Sequence, residues 1–102
     1  MRRSRRDGNH AALSRAFELV GCTVVDTAST GIPGFPDLVV GCVGVTHLVE
    51  LKNPATRYGR AGLSQAQSAF NSDWRGGPMV AVSSTDEVAA VVGNWRKESR
   101  AG

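Results

Sequence analysis

Three charged residues stand at the ends of apolar runs. Asp37 opens one such run, DLVVGC (37–42), and Glu50 and Lys52 close another, VTHLVELK (45–52). Side chains alternate along a strand, so Glu50 and Lys52 share a face while Leu51 takes the other. If the two runs form a hairpin turning at Val43-Gly44, Cys42 opposes Val45. Counting back then pairs Leu38 with Val49 and Asp37 with Glu50. Opposed residues have Cβ atoms roughly 4.5–5.5 Å apart. Two carboxylates that close repel unless a cation lies between them. A hard divalent ion takes oxygen ligands and keeps several waters, which matches this donor set. A surface ion pair between Glu50 and Lys52 would use the same residues. The apolar company favours a site at the edge of a core.

The elements that must position these residues follow from periodicity and punctuation. His10, Leu13, Phe17 and Val20 fall on one helical stripe with Ala16 beside it, predicting a helix over 10–20. Asp7 or Asn9 could cap its start, and Gly21 ends it. Residues 22–26 read as a short strand, and TASTGIPGFP as a loop. Beyond the hairpin, 52–62 is a basic loop. Ser64 with Gln67 three residues on forms a capping box, opening a helix whose inner face is Ala66, Phe70 and Trp74. Residues 79–83 are a buried-type strand. A second capping box, Ser84 to Glu87, precedes a helix burying Val88, Val91, Val92 and Trp95. The order is α-β-β-β-α-β-α, an α/β fold. The strand after the crossover helix should run parallel to a neighbour, in a mixed sheet with helices on both faces.

Composition bounds the rest. The 102 residues suit one domain. Residues 1–8 read as a basic arm and 9–102 as that domain. Formal net charge is +3, from 12 Lys and Arg against 9 Asp and Glu. Four arginines, Arg2, Arg3, Arg5 and Arg6, supply that excess, and without them cations number 8. Such an arm suits a phosphate backbone or an ordinary solvated terminus. No apolar run approaches the roughly 20 residues of a membrane span. No apolar signal core follows the basic start, so a cytoplasmic location is expected. Cys22 and Cys42 make no disulfide framework and read as small core residues. Two scattered cysteines and two scattered histidines make no zinc site.

Gly34-Phe-Pro-Asp37, an apolar strand, a turn and Glu50-Leu-Lys52 together resemble the signature of the PD-(D/E)xK nucleases. In detail the chain resembles the virus-type replication-repair nuclease (VRR-NUC) domain in its stand-alone phage form. That likeness includes Asp7-Gly-Asn-His10, GIPGFPDLVVG and LSQAQ. It implies a restriction-endonuclease-like core and an endonuclease using Mg2+ or Mn2+ on DNA, in a bacterial host or phage-infected cell. Branched DNA such as a Holliday junction is the implied substrate, in repair or recombination, with a homodimer for symmetric cutting. Carried over, Asp37 and Glu50 would bind metal with the Leu51 carbonyl, and Lys52 would orient water and stabilise charge.

Asp7 matches the further acid that family members place in the first helix, and equally an ordinary N-cap. His10 could bond a catalytic carboxylate or contact the scissile phosphate, or be a half-buried histidine at a helix start. Gln67 resembles the glutamine some members bring to the site. Its alternative is the capping box with Ser64, and the two roles are expected to exclude one another. Arg57, Tyr58 and Arg60 form a loop suited to backbone phosphates. The competing reading of the whole chain is a nucleic-acid-binding module that cleaves nothing.

Overall fold

The computed structural model describes residues 8–27, 30–53 and 64–101. Three helices and four strands lie among them: α1 (Gly8–Leu19), β1 (Thr23–Asp26), β2 (Leu38–Cys42), β3 (Val45–Leu51), α2 (Gln65–Asp73), β4 (Val80–Val82) and α3 (Thr85–Ala101). The strands form one mixed sheet in the order β1-β2-β3-β4. β1, β2 and β3 are antiparallel neighbours, and β4 runs parallel to β3 after the α2 crossover. No helix among the described residues is long and apolar enough to cross a membrane.

The hairpin register is the one expected, with Leu38 against Val49 and Cys42 against Val45. Its two-residue turn takes positive φ at both Val43 (47°) and Gly44 (80°). That geometry matches the twist of the flanking strands. It also forces a β-branched valine into the left-handed region.

Register assigns the faces. Leu38, Val40, Cys42, Val49 and Val82 are all buried on one side. They form a single core with Leu13 and Phe17 of α1 and Val88, Val92 and Trp95 of α3. Both amphipathic stripes read from the sequence therefore pack on that side. Trp95 is sandwiched: its ring lies 6.0 Å from Phe17 and 3.6 Å from His47, almost parallel to each. The His47 Nε2 is buried without a hydrogen-bond partner among the described residues. Burial lowers the pKa of this ring.

α2 lies across the opposite face, where Glu50 projects between Val49 and Leu51. It buries no residue, which corrects the expected inner face. Ala66 and Trp74 are exposed, and only Phe70 is half-buried, edge-on to Phe35 at 5.3 Å. Two caps also differ from expectation. Asn9 lies within α1 and is no N-cap. At α3, Ser84 Oγ accepts the Glu87 N–H at 3.1 Å, but the Glu87 carboxylate reaches past Ser84 to the Ser83 N–H and hydroxyl. These two bonds hold the Glu87 carboxyl below its ordinary pKa. Gly21 ends α1 as expected, with Gly21 N–H on the Glu18 carbonyl and Cys22 N–H on the Phe17 carbonyl, both at 3.0 Å.

Candidate active site at one end of the sheet

The end of β1, the start of β2, the end of β3 and the start of α1 converge at one edge of the sheet. Asp37 stands one residue before β2. Thr27, 7% exposed, fixes this approach: its N–H donates to the Asp37 carbonyl at 3.1 Å and its hydroxyl to the Pro36 carbonyl. The Asp37 Oδ2 accepts the Leu51 N–H at 2.8 Å. The structure thus puts the amide of Leu51 on the carboxylate across the hairpin.

Glu50 is 9% exposed. Asp37, one step beyond the Leu38–Val49 pair, lies close enough for its charge to act on this carboxyl. The opposed acids read from the register therefore do meet. Burial first, and then the Asp37 charge, raise the Glu50 pKa to about 7, against the pull of Lys52 and Gln67. A buried carboxyl beside another acid holds its proton because neither water nor a full counter-charge compensates its ionised form.

Lys52 follows on the same face, half-buried. Its backbone is gripped from two sides: the N–H donates to the Val82 carbonyl at 2.9 Å, and the carbonyl accepts the Asn9 Nδ2 at 2.8 Å. The Asn9 amide thus ties α1 to the end of β3.

Gln67 makes both the cap and a contact with Glu50, which were expected to exclude one another. Its Oε1 accepts the Ser64 N–H at 2.9 Å while its own N–H donates to Ser64 Oγ at 3.1 Å, completing the capping box. The Nε2 remains, and donates to Glu50 Oε2. A primary amide has an acceptor at one end and donors at the other, so one side chain serves both partners. The cap fixes which end faces Glu50.

The loop before Asp37 makes this contact possible. Gly34 has φ +77°, and a Cβ built there would lie 2.1 Å from the Ala66 carbonyl oxygen and 2.9 Å from Gln67 N. The backbones of loop and helix touch at a distance only glycine permits.

His10 Nε2 meets Asp26 Oδ2 at 3.2 Å. Sequence reasoning does not single out Asp26. Its position at the end of the first strand, on the edge that holds Asp37, is the one signal that points to it. Glu18 lies on the outer surface, 3.5 Å from Arg15. Asp7, Arg2, Arg3, Arg5, Arg6, Arg57, Tyr58 and Arg60 fall outside the described residues.

Among the described residues no group of three or more His, Cys, Asp or Glu is placed to hold a metal ion. The donor set is two carboxylates. It suits Mg2+, which binds through one or two carboxylates and otherwise keeps its waters. No protein-family model, curated protein or solved structure matches this chain.

Proposed function

We propose that this protein is a divalent-metal-dependent DNA endonuclease of the PD-(D/E)xK type, with the stand-alone VRR-NUC pattern. One observation carries the reading. Asp37 and the buried Glu50 come together at a sheet end, close enough for the Asp37 charge to act on Glu50, with the Gln67 amide on Glu50 and Lys52 two residues on. The element order supports it: a helix, three antiparallel strands, a crossover helix, a parallel strand and a final helix.

Asp37, Glu50 and the Leu51 carbonyl would hold Mg2+ or Mn2+. The ion supplies Lewis acidity, polarising a phosphoryl oxygen and making a water more acidic. The Glu50 carboxyl, whose pKa burial and then Asp37 raise to about 7, would give up its proton to solvent in order to hold the ion. Gln67 holds the Glu50 carboxyl in place through that change. Lys52 offsets negative charge as the phosphodiester bond breaks. His10, oriented by Asp26, would face flanking phosphate, and Asp7 would supply the further acid that the resemblance implies or an ordinary N-cap.

Branched DNA, recognised by shape and backbone, is the substrate class that the resemblance suggests. The arginine arm and Arg57, Tyr58 and Arg60 contact phosphates. Symmetric cutting of two strands requires a two-fold dimer. The test is incubation of plasmid and four-way-junction DNA with the protein in Mg2+ or Mn2+, with EDTA as control. Metal-dependent cutting is expected. Binding without cutting in either metal would leave a nucleic-acid-binding module in its place.

A further inference from the structure

The opposite end of the sheet holds a pair of thiols that the nuclease reading does not use. The β1–β2 register sets Thr23 against Gly41, and one more step sets Cys22 directly against Cys42. Both side chains enter the same core, Cys22 7% and Cys42 4% exposed. Both are free thiols, close enough for Cys42 to act on the Cys22 thiol. Opposed residues of an antiparallel pair have Cα atoms about 4.5 or 5.5 Å apart, depending on whether the pair is hydrogen-bonded. Either spacing falls within the roughly 4.4–6.8 Å that a disulfide spans. A pair of apolar side chains would fill this corner of the core equally well, so packing alone does not require two facing sulfurs.

Access comes from the edge. β1 is the outer strand, four residues long with three of them exposed. An edge this short opens locally without the rest of the sheet. While it is closed, burial and then the neighbouring thiol push the Cys22 pKa up to about 12, which keeps the reduced pair inert. Arg96, whose guanidinium donates to the Val20 carbonyl, favours the Cys22 thiolate.

We propose that Cys22 and Cys42 form a reversible intramolecular disulfide by exchange with small-molecule disulfides such as oxidised glutathione. One protein thiolate attacks the small disulfide, forming a mixed disulfide and releasing one glutathione thiol. The second protein thiolate attacks the protein-bound sulfur, closing the Cys22–Cys42 bond and releasing the second thiol. The protein loses two electrons and two protons, and the small disulfide gains them. The bond closes the chain from 22 to 42 and staples the edge strand to β2. None of this depends on the nuclease reading.

The full chain is incubated with oxidised glutathione, then measured by intact mass, thiol titration and thermal melting. Expected are loss of both thiols, a mass lower by two hydrogen atoms, no covalent dimer, and a melting temperature raised by roughly 10 °C and restored by dithiothreitol. Cys22→Ser and Cys42→Ser, measured alongside, should each accept at most a glutathione adduct with no such rise. Three results would overturn the proposal: adducts that persist on the wild-type chain, disulfide-linked dimers, or two thiols still titrating in a buffer that oxidises the urea-unfolded chain.

Discussion

Replacing Gly34 by alanine should separate α2 from the carboxylates while leaving the core folded. The added Cβ would sit 2.1 Å from the Ala66 carbonyl oxygen, where ordinary contact begins at 3.4 Å. The first turn of α2 must retreat by on the order of 1 Å, enough to break the Gln67–Glu50 hydrogen bond. Because α2 buries no residue, it can swing outward without tearing the core. The stability loss is then mostly the strain of an L-residue at φ +77°, about 1–2 kcal/mol. For a chain near 100 residues that lowers the melting temperature by roughly 5–15 °C. Gln67 holds the Glu50 pKa down, so losing it should raise that pKa further. The assay is a carboxyl-carbon NMR titration of Glu50 in wild type and Gly34→Ala, with melting curves of both. A variant that melts with wild type and titrates Glu50 unchanged would refute the close approach and the coupling drawn from it.

Three further outcomes follow from other parts of the molecule. Val43→Asn places a residue tolerant of positive φ in the hairpin turn and should stabilise the protein by about 1 kcal/mol, read in urea unfolding. Glu50 has a folded pKa of about 7 against an ordinary 4.5, so between those values the folded chain holds a proton the unfolded chain has lost. Metal-free stability should therefore fall as pH rises through that window, by up to about 3 kcal/mol, and Glu50→Gln should lose this component. Replacing Arg2, Arg3, Arg5 and Arg6 with alanine should flatten the salt dependence of junction binding measured in Ca2+, by about 0.9 in slope for each phosphate that the arm neutralises. An unchanged slope would remove the arm from the DNA interface.

The sheet is legible in the sequence because its signals are local. Alternating faces and one two-residue turn set the register that brings Asp37 to Glu50, and helical spacing identifies Leu13, Phe17, Val88, Val92 and Trp95 as core. α2 misleads because Ala66, Phe70 and Trp74 have the spacing of a buried face. The helix instead docks through backbone contact at Gly34 and one amide, and neither leaves a periodic trace. Gln67 reads as a choice between partners because spacing does not count the two ends of an amide. The Asp26 partner of His10 and the Asn9 grip on Lys52 span 16 and 43 positions, beyond the reach of any local pattern.

The central claim is that Asp37, Glu50 and Lys52 act together on a phosphodiester bond. Its most direct test is the initial rate of plasmid and four-way-junction cleavage in Mg2+ and Mn2+ by wild type, Asp37→Ala, Glu50→Ala and Lys52→Ala, each first shown to be folded by circular dichroism. Cutting by wild type that stops in EDTA and is lost in all three variants is the predicted result. Wild-type cutting that survives EDTA, or persists at the wild-type rate in the three variants, would contradict it.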